Sequence, residues 1–301
     1  MHFSVKQLNQ LAVQALKAAK CAGEYIEQFD RTQLKTEFKV SGSSLSSQVV
    51  TEVDLHCQAM IIEQLQASCA EFDIALLSEE NCTDIAVNAH DRLTKYYFWC
   101  IDPLDGTLPF IKGSNGYAVS VALVDRNGAP VLAAVFQPAT SAAYHMQFDH
   151  QRKATLYKNG VVFKPSNKDK QLHFYCDQSF LSSKHYPAVI QQLTTLLPVI
   201  GVTALKVISG NGAVVNALLV LENAPACYIK LPKPEQGGGA LWDFSATACI
   251  SHAVNAWASD MHGLPLQLNQ RDSYYMNKKG VMFASDTRLA EILLSALSKQ
   301  L

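Results

Sequence analysis

One hydrophobic segment of the sequence runs into two acidic residues at close spacing. It reads Trp99-Cys-Ile-Asp102-Pro103-Leu104-Asp105-Gly106-Thr107. Carboxylates three positions apart at the end of a strand can converge on one point, and oxygen ligands without Cys or His suit Mg²⁺ or Mn²⁺. Gly106 lets the backbone approach a ligand closely, and Thr107 opens a segment whose exposed amides can cradle phosphate. The pattern indicates a divalent-cation and phosphate site, with a simple turn around two acids as the plainer alternative.

Two further acidic elements accompany this segment. The pair Glu79-Glu80 directly follows the apolar run 75–78, and Asp243 follows Trp242 where a helix should begin. Asp243 is also suited to be a helix N-cap. Acids at three separate element ends favour one shared site over an isolated turn.

The elements that must position these acids can be read from hydrophobic periodicity. A capping box, Thr51-Glu-Val-Asp54, predicts a helix start. An apolar stripe predicts a helix over 3–29, and closely spaced apolar runs predict an antiparallel meander of strands at 117–124, 131–136 and 142–147. Beyond the polar stretch 165–171, strand-like runs alternate with helix-like runs at 187–197, 212–221, 244–256 and 287–297. We therefore expect an α+β domain over residues 1–166, carrying most of the acids, and a smaller α/β domain over 167–301, supplying Asp243 and substrate contacts.

Composition excludes several classes of protein. The 301 residues hold 25 Lys and Arg against 26 Asp and Glu, so no basic surplus supports binding to a nucleic acid polymer. A hydrophobic content of 49% excludes a disordered chain. No apolar run approaches the roughly 20 residues of a membrane span, and the N-terminus lacks the apolar core of a secretory signal. We expect a cytoplasmic protein.

Taken together and in order, these elements resemble the inositol monophosphatase superfamily of Mg²⁺-dependent, lithium-sensitive phosphomonoesterases. The resemblance covers nearly the whole chain, and the segment from Asp102 to Thr107 carries the family's D-P-L-D-G-T signature. It implies alternating αβαβα layers, a small-molecule phosphate ester as substrate and a homodimer. It also implies two or three bound Mg²⁺ ions, with Mn²⁺ as an alternative.

The resemblance also assigns roles to individual residues. The metal ligands it implies are Glu79, Asp102, the main-chain carbonyl of Leu104, Asp105 and Asp243. Asp105, Gly106 and Thr107 would hold the phosphate. Glu79 and Thr107 would orient the attacking water, with Asp54 supporting Thr107.

The implied substrate contacts in the second half of the chain are Gly212, Asp243 and Lys230. Gly212 stands at the start of a predicted helix, where the family contacts substrate. Lys230 falls where inositol-specific members have an acid, and a cation there favours a second phosphate, although an ordinary surface lysine is equally compatible. Residues 231–239 form a longer, glycine-rich link to Trp242 than is usual, which leaves the alignment of Lys230 open.

Local resemblances around Glu79 and Lys112 point to the bacterial 3'(2'),5'-bisphosphate nucleotidase branch. The expected reaction is then the conversion of adenosine 3',5'-bisphosphate to AMP and phosphate. Inositol 1-phosphate or a sugar phosphate or bisphosphate is the alternative substrate. A non-catalytic regulator that retains the fold is the alternative of another class, and the complete set of acids speaks against it.

Overall fold

The computed structural model describes residues 2–34, 36–38, 49–165 and 169–298. Its helices, in chain order, are α1 (Val5–Gln28), α2 (Glu52–Phe72), α3 (Thr107–Ile111), α4 (Tyr186–Ile200), α5 (Ala213–Glu222), α6 (Leu241–Ala253) and α7 (Thr287–Leu297). A short antiparallel pair consists of β1 (Thr36–Phe38) and β2 (Val49–Thr51).

Two larger sheets contain the remaining strands. The seven-stranded sheet has sequential order and comprises β3 (Ala75–Ser78), β4 (Tyr97–Asp105), β5 (Ala118–Asp125), β6 (Pro130–Gln137), β7 (Ala142–Phe148), β8 (Ala154–Lys158) and β9 (Val161–Val162). The five-stranded sheet has the order β11-β10-β12-β14-β13 and comprises β10 (Gln171–Tyr175), β11 (Ala204–Ile208), β12 (Ala226–Lys230), β13 (Trp257–Ser259) and β14 (Val281–Ala284). The boundary predicted between residues 166 and 167 lies outside the described residues and stays a prediction.

Helices separate and cover the two sheets. On one face of the seven-stranded sheet lies α1 with its partner α2, and α1 approaches so closely that a methyl group at Gly23 would lie 2.0 Å from the Phe136 ring. On the other face lies α6, with the Sγ atom of Cys249 3.5 Å from the Sδ atom of Met146. The same middle layer, α5 and α6, packs against the five-stranded sheet, whose far face is covered by α4 and α7. The predicted αβαβα layering is confirmed.

The strand that carries the signature extends further than its apolar run. The sequence predicts a strand ending near Ile101, yet β4 continues through Pro103 to Asp105. Its pairing with β5 shifts in register between Asp102 and Asp105. Proline donates no ladder hydrogen bond and is tolerated at such an irregularity. The bulge changes the direction of the chain, which lets the two carboxylates meet without ending the strand.

Helix α6 begins earlier than the sequence predicts. The expected start was near Phe244 with Asp243 as a possible N-cap, whereas the helix begins at Leu241 and Ala240 holds the N-cap position. Asp243 is the third residue of the helix, and its side chain accepts a hydrogen bond from the Ala240 backbone N–H. A carboxylate at this position satisfies a free amide of the first turn as well as an N-cap would.

We find no helix among the described residues whose length and apolar character would let it cross a membrane.

Candidate active site

Three carboxylates from two parts of the chain meet at the end of β4. One oxygen each of Asp102, Asp105 and Asp243 lies within 4.8 Å of the other two. The bulge in β4 brings the first two together, and the first turn of α6 supplies the third. Asp102 and Asp105 are almost fully buried. Negative charges this close, and this poorly solvated, repel one another unless a cation or protons compensate them.

The carboxylate of Asp105 lies at the N-terminus of α5. Its two oxygens accept hydrogen bonds from the backbone N–H groups of Ala213 and Val214, both at 2.9 Å. The first amides of a helix have no partner within the helix and carry partial positive charge, so they bind anions. This contact orients Asp105 and joins the signature of the seven-stranded sheet to the middle helical layer.

Gly212 contacts the site as backbone rather than as a side chain. It is the N-cap of α5, and its N–H donates to the Gly116 carbonyl at 2.7 Å. A methyl group at Gly212 would lie 2.3 Å from Oδ2 of Asp105. Because the Gly212 φ of −66° is accessible to any residue, space beside Asp105 rather than backbone conformation requires glycine here.

Asp54 serves two structural purposes with one carboxylate. Its Oδ2 accepts hydrogen bonds from the backbone N–H and the hydroxyl of Thr51, at 2.8 and 2.6 Å, so the predicted capping box of α2 is confirmed. Its Oδ1 accepts the hydroxyl of Thr107 at 3.2 Å. The Thr107 hydroxyl also lies 3.3 Å from the Leu104 carbonyl, a second acceptor. Since both neighbours accept, the lone pairs of the Thr107 oxygen remain available to receive a hydrogen from a water molecule.

Asp102 provides the test of whether the cluster fits a metal ion. Its Oδ1 accepts the Leu104 N–H at 3.1 Å, whereas its buried Oδ2 has no hydrogen-bond partner among the described residues. Burial, followed by the negative charges of Glu79 and Asp105, raises the pKa of Asp102 well above its ordinary value. A buried carboxylate oxygen without a partner is costly, and a hard divalent cation is the ligand that three converging carboxylates accommodate. The residues present therefore fit a metal ion.

The other predicted site residues lie around this cluster. Glu79 begins a short 3-10 turn directly after β3, close enough for its charge to affect both Asp102 and Asp243. Gly106 has a left-handed φ of 87°, and a methyl group there would lie 2.5 Å from the Gly116 carbonyl oxygen. That conformation favours glycine and turns the chain from β4 into α3. The catalytic and ligand roles of these residues stay predictions.

Lys230 lies at the site, but its charge is already engaged. It ends β12, and its ammonium is 2.9 Å from Oδ2 of Asp177, with the Lys230 side chain 12% exposed. The other oxygen of Asp177 accepts the Tyr228 hydroxyl at 3.0 Å. Lys230 also lies over the Phe244 ring, 5.6 Å from its centroid. Although burial opposes it, the pKa of Lys230 is raised by Asp177 first, and then by Asp243 and Asp105.

Sequence reasoning missed Asp177 and the amides of Ala213 and Val214. The signal for Asp177 was present, because this acid comes two residues after the last residue of β10, as Glu79 comes directly after β3. The amides carry no side-chain signal, since any residue type offers a backbone N–H.

Comparison with known proteins agrees with this geometry. The family model described as the inositol monophosphatase family matches residues 7–301. The chain belongs to this family. The resemblance predicted from the sequence is thereby confirmed.

Individual members of the inositol monophosphatase family show further similarity. The chain is 29% identical to the 3'(2'),5'-bisphosphate nucleotidase CysQ of Haemophilus influenzae over 86% of its own length and 88% of that protein. It is also 29% identical to the 3'-phosphoadenosine 5'-phosphate phosphatase of Mycobacterium bovis, covering 81% of this chain and 80% of that one. Among solved structures, the inositol monophosphatase of Anabaena (Nostoc) superposes with a TM-score of 0.69 over 97% of both chains, at 17% identity. That similarity shows the fold, and the two relatives support the predicted class of enzyme.

Proposed function

We propose that this protein is a Mg²⁺-dependent phosphomonoesterase that hydrolyses the 3'-phosphate of adenosine 3',5'-bisphosphate, giving AMP and phosphate. The observation that carries the proposal is the cluster of Asp102, Asp105 and Asp243, in which a buried oxygen of Asp102 has no partner among the described residues. Family membership supports the reaction, and the printed activities of the two relatives support the substrate.

The metal would be held by Asp102, Asp105 and Asp243, with Glu79 and the Leu104 carbonyl completing the set. When bound, Mg²⁺ would neutralise charge on the phosphate oxygens and make water a better nucleophile at neutral pH. Carboxylate and carbonyl oxygens are the ligands that this cation prefers.

Thr107 supplies orientation for the attacking water. Its hydroxyl hydrogen is directed at Asp54 or at the Leu104 carbonyl, so its oxygen accepts a hydrogen from water and leaves the water's lone pair directed at phosphorus. The water oxygen forms the new P–O bond as the bond to the ribose 3'-oxygen breaks. One proton of the water ends on the ribose oxygen, and the other stays on the phosphate that is released. Fixing the water in line with the leaving oxygen is the main contribution that a protein can make to such a transfer. Glu79 stands beside the cluster as the second group proposed to orient this water.

Gly106 and the first turn of α3 would contact the transferred phosphate. The left-handed Gly106 is the N-cap residue of α3, and the free amides of that first turn would be the donors to the phosphate. Gly212 and Asp243 would contact the rest of the substrate, and Lys230 would contribute positive charge near its second phosphate. A homodimer, inhibition by lithium and a cytoplasmic location stay predictions from the sequence.

Phosphate release by the purified chain tests the proposal. The substrates are adenosine 3',5'-bisphosphate, inositol 1-phosphate and fructose 1,6-bisphosphate, each with Mg²⁺ and with excess chelator. We expect the highest kcat/KM for the nucleotide and no turnover in chelator. Preference for inositol 1-phosphate or the sugar bisphosphate would replace the proposed substrate. Absence of turnover on all three substrates with Mg²⁺ would favour the non-catalytic regulator. Full turnover in chelator would refute the proposed requirement for a metal ion.

A further inference from the structure

A largely buried ion pair lies beside the carboxylate cluster. The Lys230 ammonium is 2.9 Å from Oδ2 of Asp177, and the Lys230 side chain is 12% exposed. The ammonium also lies 5.9 Å from the centroid of the Tyr228 ring and 5.6 Å from that of the Phe244 ring, within the range of cation–π contacts. Two aromatic rings and one carboxylate therefore surround a charge that is largely removed from water.

Asp177 is itself fixed through both its backbone and its side chain. It precedes a 3-10 turn (Gln178–Ser182), and its carbonyl accepts the Phe180 N–H at 2.9 Å. Its Oδ1 accepts the hydroxyl of Tyr228 at 3.0 Å, which leaves Oδ2 for Lys230. Tyr228 is fully buried on β12. The position of the Lys230 ammonium is therefore set by a carboxylate that the fold holds in place.

The proposed metal ligand Asp243 is a second acceptor for the same ammonium. Burial raises the pKa of Asp243, and the charge of Lys230 is the largest effect that opposes the rise. A methyl group at Gly239 would lie 2.5 Å from the Phe244 ring, against which the ammonium packs, and 3.2 Å from Oδ2 of Asp243. Among the described residues, however, Asp177 is the one carboxylate within ion-pair distance of Lys230.

The choice between these two acceptors has a consequence for metal binding. A buried ammonium without a counter-ion is costly, and the negative charges that act on Lys230 after that of Asp177 are those of Asp243 and Asp105. An ammonium bound there would compete with a divalent cation for the same oxygens. We propose that Asp177 is a positioning residue that holds the Lys230 ammonium away from the carboxylate cluster and keeps Asp243 open to the metal ion. This inference rests on the proposed function, because it takes a metal ion at that cluster.

Binding of Mn²⁺ to the metal-free protein, measured by isothermal titration calorimetry, tests this role without turnover. In Asp177→Asn we expect the Kd for Mn²⁺ to rise by about tenfold, as for competition from one charge-assisted contact. In Lys230→Met the Kd should be no more than about twofold above wild type, since no ligand is lost. Adding Asp177→Asn to Lys230→Met should then have no further effect, because the competing ammonium is gone.

A crystal structure of metal-free Asp177→Asn tests the position of the ammonium directly. We expect Lys230 Nζ within about 4 Å of a carboxylate oxygen of Asp243 or Asp105, the distance of an ion pair. An ammonium that stays away from both carboxylates would contradict the proposed positioning.

The matched control is Asp272→Asn. Asp272 also pairs with a lysine, Lys278, at 3.1 Å, but its side chain is 69% exposed, so its loss should leave the Kd at the wild-type level. The inference is overturned if folded Asp177→Asn binds Mn²⁺ as tightly as wild type, and the proposed function then stands. It is also overturned if Asp177→Asn weakens binding in the Lys230→Met background, a comparison that applies even if Asp177→Asn alone does not fold. If wild type binds no Mn²⁺, the proposed metal-dependent function itself fails.

Discussion

The two sheets contribute to the active site in different ways. The seven-stranded sheet supplies Asp102, Asp105 and Thr107 from six consecutive residues at the end of β4 and the start of α3. The region around the five-stranded sheet supplies single groups that are far apart in sequence, among them Asp177, the Ala213 amide and Lys230. The first region is a local turn, and the second is assembled by packing.

The difference extends to charge. The β4 segment brings carboxylates and a hydroxyl, which suit a cation and a water molecule. The second region brings positively polarised groups, namely the helix-start amides of Ala213 and Val214, which bind Asp105, and the ammonium of Lys230, which pairs with Asp177. Under the proposed function, the first region would carry most of the bond-breaking chemistry, and the second would contribute Asp243 and the choice of substrate. Four further experiments test this division of roles, in order of decreasing expected effect.

The largest effect is expected from Asp105→Asn. Because changes to groups that merely support metal ligands already cost about 10- to 100-fold, we expect activity to fall by more than about 100-fold. In excess chelator the variant should unfold at a temperature no lower than wild type, since one buried negative charge is gone. Phosphate release and thermal unfolding measure the two parts. The control is Asp73→Asn, whose carboxylate is 79% exposed and should affect neither. Retention of more than a tenth of the activity would contradict the role of Asp105.

Thr107→Ala is expected to lower kcat by about 10- to 100-fold while KM changes little, because we propose that the hydroxyl orients the water in the transition state. Thr107→Ser keeps the hydroxyl and should recover most of the activity. Steady-state kinetics with the bisphosphate measures both constants. An effect confined to KM would move Thr107 from the chemistry of the first region to substrate binding.

Gly212→Ala tests the contact between the regions. The added methyl group would lie 2.3 Å from Oδ2 of Asp105 and must displace that carboxylate. We expect activity to fall by about tenfold, as for a disturbed ligand support, with secondary structure by circular dichroism unchanged. The Asp105→Asn, Gly212→Ala double variant should lose less than the sum of the two effects, since both act through one carboxylate. Additive losses would show that Gly212 acts independently of Asp105.

The smallest effect concerns pH and the metal-free protein. Burial raises the pKa of Asp243 to about 6 from its ordinary 3.8, against the opposing charge of Lys230. The folded state therefore binds this proton more tightly than the unfolded chain. The contribution of the proton to the free energy of unfolding is present at low pH and is lost as pH rises from about 4 through 6. In chelator, Tm should fall by a few degrees across this range. Excess Mg²⁺ should reduce the fall, because the cation replaces the proton. A Tm in chelator that rises with pH over this range would contradict the raised pKa.

Local patterns in the sequence predicted a large share of the fold. The capping box at Thr51 and Asp54 is present, and α7 has the predicted bounds, Thr287–Leu297. Such features depend on neighbours within one helical turn, so spacing alone identifies them. The predicted start of α6 near Phe244 was wrong, since the helix begins at Leu241. Ala240 has no capping side chain that a sequence pattern could reveal, and Asp243 caps the helix start from the third helical position instead.

The sequence by itself determined the carboxylates of the site, since Asp102 and Asp105 are three residues apart on one strand. Only the tertiary structure decided how they are held and what faces them. Asp105 meets Ala213 across 108 positions, and Thr107 meets Asp54 across 53. Lys230 appears in the sequence as a cation for a second phosphate, yet folding pairs it with Asp177. Spacing in the sequence shows which groups lie together along one helix or strand. Contacts between elements depend instead on how the layers pack. Backbone amides and ion pairs leave no periodic pattern in the sequence from which that packing could be predicted.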